Sequence, residues 1–257
     1  QLIISTFIKM KILVCISHVP DTTSKINFSE DQTQFDANGV QFVINPLDEF
    51  ALTRAMWFKE KQGANITVIN VGNQSTEPTL RKALAIGADA AIRVNIEAED
   101  GFQVAQQIAE IAKKEDFNLI LCGRESIDYN GGMVPGMIAE LLGYNFINGC
   151  IGLDVNEQDA ELAREIDGGK EILKSQLPLV VAGQKGLVEE KDLRIPNMRG
   201  IMMARKKPLT VIEGVDLSPS THTLKYEKPE AKGACKIIES SHVDELIELL
   251  HSEAKVI

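Results

Sequence analysis

The chain lacks the signatures of the common catalytic and metal-binding classes. After its first strand-like run there is no G-x-G-x-x-G, so an ordinary dinucleotide-binding turn is not supported. The Walker phosphate loop, H-E-x-x-H and the G-x-S-x-G elbow are missing as well. The four histidines, His18, His222, His242 and His251, share no ligand-like spacing and read as surface or loop residues. The four cysteines, Cys15, Cys122, Cys150 and Cys235, include no C-x-x-C pair, which excludes a zinc knuckle and a dithiol redox motif. No apolar run approaches the roughly eighteen residues of a membrane-spanning helix, so no direct membrane insertion is expected. Basic residues are few: 27 Lys and Arg stand against 37 Asp and Glu, a net charge of −10, which argues against a nucleic-acid partner.

What is present is the composition of a folded domain. Hydrophobic residues make up 44% and charged residues 25% of 257 residues, enough for one large α/β domain with an extension or for two small domains. Cys15 and Cys122 lie in or beside apolar runs, where free cysteine behaves as a small hydrophobe. The thiols fit a reducing compartment, and a cytoplasmic location is expected. Gln1 to Lys9 precede a clean strand opening at Met10 and are too short for a secretory peptide. They read as an upstream extension outside the fold.

From Lys11 onward, short apolar runs alternate with helical stretches. Ile12–Ile16, Ile66–Gly72, Ala91–Val94 and Leu119–Gly123 have the continuous apolar character of strands covered on both faces. Between them, helices are expected from Asn45 as N-cap and Pro46 as first helical residue to near Gly63, over Thr76–Ile86, Phe102–Lys114 and Met133–Leu142. This βαβ rhythm over about 145 residues calls for a parallel sheet with helices on both faces. After Cys150 the pattern changes to short antiparallel strands at Ile151–Asp154, Glu161–Glu165 and Glu171–Leu173, with Asp167-Gly168-Gly169 as a hairpin turn. Leu177–Ala182 is a further apolar strand, followed by a polar loop over about 186–207. Residues 10–208 are therefore read as one α/β domain, and 209–257 as a tail with little pattern until an amphipathic helix at Val243–His251.

An open α/β sheet places its ligand at the loops after the parallel strands. Three such loops stand out: Ser17–Asp21, Val71-Gly72-Asn73, and Gly123–Met133. In the last, Gly131 and Gly132 would let a phosphate reach free N–H groups at a helix start, although glycines also serve simply to make a turn. The segment Lys191–Lys207 mixes Leu193, Ile195, Met198, Ile201, Met202 and Met203 with Arg194, Arg199, Arg205, Lys206 and Lys207. It reads equally as an adaptable protein-contact surface or as a solvated loop with a few core anchors.

Taken together, several ordered motifs resemble the electron transfer flavoprotein β-subunit family from Met10 to Ile257. They are Val19–Thr22, Ile44-Asn45-Pro46, Leu84–Asp89, Leu121–Asp128, Arg164–Gly169, Ile195–Met198 and Ala204–Lys207. The resemblance implies an adenine nucleotide alpha hydrolase-like fold and a heterodimer. A larger α subunit would hold redox-active FAD, and this chain would hold a structural AMP and contact its partner through the 209–257 tail. AMP would lie against Cys15, against Asn45, Pro46, Leu47 and Asp48, and against Val68, Ile69, Asn70 and Val71. The loop would add Gly123, Arg124, Glu125, Ser126, Ile127, Asp128, Asn130, Gly131, Gly132 and Met133. Where members of the family usually carry Thr and Gln, this loop has Gly131, Gly132 and Met133.

The same resemblance makes Ile195, Pro196, Asn197 and Met198 the recognition loop for partner dehydrogenases. It makes Glu165 a residue that influences where the flavin domain sits. The implied role is single-electron transfer, in fatty acid β-oxidation, from acyl-CoA and related dehydrogenases to a quinone-linked oxidoreductase, as a carrier and not a stand-alone enzyme. Val19–Thr22 also resembles a branch that bifurcates electrons from NADH with a second FAD in this subunit. A nucleotide-binding regulator of the universal-stress type would explain the first 145 residues but neither the basic loop nor the tail.

Overall fold

The computed structural model describes residues 9–231 and 233–257. Residues 1–8, and with them nearly all of the upstream extension, lie outside the described residues, as does Lys232. The described chain divides into two compact units, one of residues up to Asn27 with Asp36–Leu224, the other of Phe28–Phe35 with Lys225–Ile257.

The first unit is built on a nine-stranded sheet. Its strands are β1 (Lys11–Cys15), β4 (Asn65–Val71), β5 (Ala90–Asn95), β6 (Leu119–Gly123), β7 (Asn145–Asn156), β8 (Asp159–Ile166), β9 (Gly169–Gln176), β10 (Leu179–Gly183) and β11 (Leu209–Glu213). Two short strands, β2 (His18–Pro20) and β3 (Phe42–Ile44), pair antiparallel beside it. The helices are α1 (Pro46–Gln62), α2 (Glu77–Ile86), α3 (Gly101–Ala112), α4 (Val134–Leu142) and α5 (Met198–Ala204). The sheet order is β11-β5-β4-β1-β6-β10-β7-β8-β9, parallel from β11 through β7 and antiparallel from β7 to β9.

The expected parallel strands form because their apolar runs can be buried on both faces. Side chains alternate across a strand. Ile12 and Val14, Leu119 and Leu121, and Leu179 and Val181 thus enter one core, with Phe50, Leu52 and Ala55 of α1 and Leu80 and Leu84 of α2. Leu13, Ile120 and Val180 enter the other, with Ala105 and Ile108 of α3 and Ile138 of α4. Each fully buried side chain of this size contributes roughly 1.5–3 kcal/mol.

Two placements were not visible in the pattern. β10 inserts between β6 and β7, so the last of the central strands lies inside the sheet. Leu209–Glu213, which fell within the tail of the sequence reading, is the edge strand beside β5. The chain then runs on along α3, where Gln107 both donates to the Val215 carbonyl (2.6 Å) and accepts from its N–H (2.9 Å). The antiparallel extension follows the expectation with longer strands. Ile166 pairs with Gly169 around Asp167-Gly168, and Gly168 takes the positive φ of 85° that such a hairpin needs. The other hairpin turns at Glu157-Gln158, with Glu157 at φ 55°, and has no glycine to announce it.

In the second unit, Phe28 bridges to Phe35 and stacks on Tyr226 with ring centroids 4.8 Å apart. The expected C-terminal helix is present as α6 (Val243–Ser252). Its Val243, Leu246 and Ile247 share one face and are exposed.

Leu121, fully buried on the central strand β6, and Ile172, 63% exposed on the edge strand β9, give a contrast of burial on one sheet. Leu121→Ala is expected to lower unfolding free energy by about 3 kcal/mol. Ile172→Ala should change it by less than about 1 kcal/mol. Urea denaturation of both variants reads the difference, and equal losses would contradict the assigned core.

Candidate functional site

The order β4-β1-β6 makes a switch point. From β1 the chain travels outward to β4 and β5, then returns through α3 to β6 on the other side of β1. Connections leave the two adjacent strands in opposite directions, and a crevice opens at their carboxyl ends. The residues there are Cys15 to Ser17, Asn70 to Gly72, and the loop from Gly123 to Met133.

Asp48 ties this crevice together. It sits in the first turn of α1 and is only 3% exposed. Its Oδ2 accepts from the Ser17 N–H at 2.7 Å, just past β1. Its Oδ1 accepts from the Gly123 N–H at 2.8 Å, at the end of β6. Burial raises the carboxyl pKa to about 6, while the Ser17 and Gly123 donors oppose that rise. Gly123 is glycine for a steric reason. A Cβ there would lie 2.5 Å from Asp48 Oδ1 and 2.8 Å from Leu47 Cβ.

Asn45 was expected to cap α1 with its side chain, and it does not. Its Nδ2 donates to the Glu125 carbonyl (2.9 Å), and its Oδ1 accepts from the Ile127 N–H (3.3 Å). A carboxamide carries both a donor and an acceptor, which matches what this loop presents. The first helical residue is Pro46, which has no N–H to cap. The Asn45 carbonyl still accepts from the Asp48 and Glu49 N–H groups.

The loop after β6 folds back on itself, with the Ser126 N–H donating to the Gly131 carbonyl at 3.0 Å. Asn130 takes φ 50°, a conformation asparagine tolerates. Asp128, Asn130, Gly132 and Met133 are exposed, and α4 begins without a side-chain cap. A Cβ on Gly131 would meet nothing within 4 Å among the described residues, so their packing does not fill that side of the loop. Two buried polar atoms here have no hydrogen-bond partner among the described residues: Ser126 Oγ and Asn70 Oδ1. Asn70 Nδ2 is engaged with the Ile16 carbonyl at 2.8 Å. Buried polar atoms are normally paired, so two orphans at the carboxyl end of one sheet mark a place for a polar ligand. The ring nitrogens and hydroxyls of a nucleotide would supply partners of the kind these two atoms lack.

Not every expected contact residue faces this crevice. Val68 and Ile69 are fully buried, one in each core. Cys15 lies against Cys122, whose thiol pKa is held well above its ordinary value by a hydrogen bond with Cys15 and by burial. Pro46 and Leu47 open α1, and Val71 ends β4 half-exposed.

The basic segment resolves into a mounted helix and an exposed apolar patch. Asn197 Oδ1 accepts from the Gly200 N–H (2.8 Å) and caps α5. Gly200 packs on α2 so closely that a methyl group would strike the Ala85 carbonyl. Arg81 of α2 donates to the Ala204 and Lys207 carbonyls at 2.8 and 2.9 Å. Lys207 Nζ in turn donates to the Leu84 and Ala88 carbonyls near the end of α2, at 2.9 and 2.6 Å. Burial and the neighbouring Lys59 lower the pKa of Lys207. The segment is thus partly anchored and partly exposed. Leu193 and Ala204 are anchors, while Ile195 (84% exposed), Met198 (75%) and Met202 (68%) stand in solvent. A hollow of about 470 Å³ beside Ile195 is lined by Trp57, Leu193 and Arg194. Glu165 lies apart from this segment, on β8.

Comparison with known proteins gives a consistent result. The family model described as "Electron transfer flavoprotein domain" matches residues 32–217. The chain is 38% identical to the electron transfer flavoprotein subunit beta of Bacillus subtilis, covering 96% of this chain and all of that protein. It is 34% identical to the subunit of the same name from Syntrophomonas wolfei, over 88% of each chain. The human subunit beta is 32% identical, over 91% of this chain and 94% of that protein.

The raised pKa of Asp48 has a thermodynamic consequence. Between its unfolded value of 3.8 and about 6, the folded state holds more protons than the unfolded state. The Asp48 contribution therefore becomes less favourable as pH rises through that window, by on the order of 3 kcal/mol. Asp48→Asn removes the titration but leaves a donor facing an N–H group. The stability of the variant relative to the parent should shift in the variant's favour by about that amount between pH 4 and pH 7. The lowered carboxyl pKa values of Asp21 and Asp31 act alike in both proteins and cancel in the comparison. Parallel stability curves in urea at the two pH values would refute the assignment.

Proposed function

The chain belongs to the electron transfer flavoprotein family, and from that membership we propose that it is the smaller, β-type subunit of a heterodimeric electron carrier. The family is flavin-associated; the redox-active FAD would be held by a larger α subunit and would supply the one-electron chemistry when bound. The present chain binds a structural AMP, offers a docking surface to electron donors, and helps position the flavin-bearing domain. Electrons pass from acyl-CoA and related dehydrogenases, as in fatty acid β-oxidation, to a quinone-linked oxidoreductase. A cytoplasmic location accords with four free thiols, three of them buried.

The observation that carries the nucleotide assignment is the pair of orphaned buried atoms, Asn70 Oδ1 and Ser126 Oγ, at the sheet's switch point. They would satisfy polar groups of the adenylate. The uncapped start of α4, reached past Gly131 and Gly132, suits a phosphate, because free N–H groups and the helix dipole both favour an anion. Asp48 and Asn45 hold the crevice walls at fixed separation, so less order has to be imposed on binding. The docking role rests on Ile195 and Met198, apolar, exposed, and carried next to a helix fixed to α2. The exposed face of α6 formed by Val243, Leu246 and Ile247 suits the α subunit. Glu165, on the antiparallel extension, is the residue assigned to flavin-domain positioning.

Two measurements test this reading. Co-expression with the α subunit, followed by nucleotide extraction, is expected to yield about one FAD and one AMP per heterodimer. Two FAD and no AMP would replace it with the bifurcating alternative, and a lone chain without adenylate would refute the nucleotide and partner assignments. Ile195→Ala should leave flavin content and folding unchanged. It should slow reduction by a dehydrogenase roughly tenfold, since about 1.4 kcal/mol of lost apolar contact corresponds to one factor of ten. Unaltered reduction kinetics would remove Ile195 from the docking surface.

A further inference from the structure

Gln184 follows β10 and is buried, yet its side chain is fully engaged at both ends. Its Oε1 accepts from Arg124 Nη1 at 2.9 Å, and its Nε2 donates to Glu165 Oε2 at 2.7 Å. The amide orientation is fixed by chemistry, because a guanidinium only donates and a carboxylate only accepts. Arg124 is the first residue past β6 and belongs to the crevice loop. Its Nη2 also pairs with Glu125 at 3.2 Å, and its side chain is 43% exposed, so part of the guanidinium still faces outward. Glu165 is on β8, which is separated from β6 in the sheet by β10 and β7. The Gln184 backbone is held as well, by its N–H to the Cys150 carbonyl at 3.1 Å. One buried amide therefore joins a cation at the crevice to an anion on the antiparallel extension.

We propose that Gln184 is a positioning residue that couples Arg124 of the crevice loop to Glu165, so that an anionic nucleotide drawing on Arg124 changes the orientation of the Glu165 carboxylate. The coupling itself stands on the hydrogen bonds. Only the identity of the ligand and the role of Glu165 rest on the function proposed above. A nucleotide phosphate would compete for Arg124, weaken its bond to Gln184 Oε1, and free the amide to follow Glu165. Groups in one hydrogen-bonded chain respond non-additively to substitution, whereas independent groups do not.

The test is a substitution cycle on the full-length chain, read by the side-chain carboxyl resonance of Glu165 in protein labelled with ¹³C-glutamate and assigned with Glu165→Gln. Arg124→Met is expected to displace that resonance when Gln184 is present. The displacement should fall to less than about a quarter in Gln184→Met. Gln184→Leu, which also removes both hydrogen-bonding groups without adding a charge beside Glu165, should uncouple them in the same way. It guards against misfolding of the first variant. Equal displacement in every background, or none in any, would overturn the proposal.

Added AMP supplies the second arm. It should move the Glu165 resonance in the parent chain. In Gln184→Met it should move only the resonances of the crevice loop. AMP that binds the parent without moving Glu165 overturns the ligand coupling while the nucleotide assignment stands. If AMP does not bind the parent, the nucleotide assignment fails instead, and the Arg124 cycle alone decides the coupling.

Discussion

A carboxylate removed from water has to find N–H donors, and Asp48 finds them at the exits of two strands at once. The bond to Ser17 fixes where the chain leaves β1, and the bond to Gly123 fixes where it leaves β6. These are adjacent strands whose connections diverge, so the same carboxylate sets the mouth of the crevice. The arrangement carries a cost, visible in the upward shift of the Asp48 pKa. It also leaves no room for any side chain at residue 123. Charge, helix start and glycine form one device.

Asn45 extends that device by three residues. With Asp48 holding the backbone at Gly123 and Asn45 holding it at Glu125 and Ile127, the first turn of α1 grips alternate residues of the crevice loop. The loop is thus tied down near β6, while at Gly131 a side chain would meet nothing within 4 Å among the described residues. Rigidity close to the sheet and space farther out are what a site needs when it encloses one end of a ligand and admits the other.

Much of the sheet was legible because its parallel strands are short continuous apolar runs that two layers of helices can cover. The hairpin at Asp167-Gly168 was legible because glycine supplies the positive φ. Glu157-Gln158 makes the equivalent turn without glycine and left no signal. β11 was missed because an edge strand with one half-exposed face, such as Leu209–Glu213, has neither a continuous run nor a clear alternation. The crevice loops were found from strand ends alone, but the roles within them were not. Asn45 before Pro46 has the sequence of a cap, and only the nearby loop redirects its amide. Gln184 directly follows an apolar strand and Lys207 ends a basic run, and the side-chain partners of both lie far away in the chain. One local signal for α5 was available, an asparagine three residues before a glycine at Asn197 and Gly200.

The two surfaces of the first unit have different mechanical characters, and the difference follows from how each is held. The patch around Ile195 and Met198 lies at and just before the start of α5, which is bolted to α2 by reciprocal bonds. Arg81 reaches carbonyls at the end of α5, and Lys207 reaches carbonyls at the end of α2. Both donors are long cations that reach one carbonyl in the last turn of a helix and one just beyond it, where a positive charge also opposes the helix dipole. An apolar patch mounted in this way keeps its shape without a partner, which would limit the ordering cost of any association. The crevice loop, by contrast, is tied to the antiparallel extension through one amide and two partly exposed charged groups. That link ends in two partly exposed charges, whereas the bonds that mount α5 end on backbone carbonyls, so a ligand drawing on Arg124 would act first on Gln184.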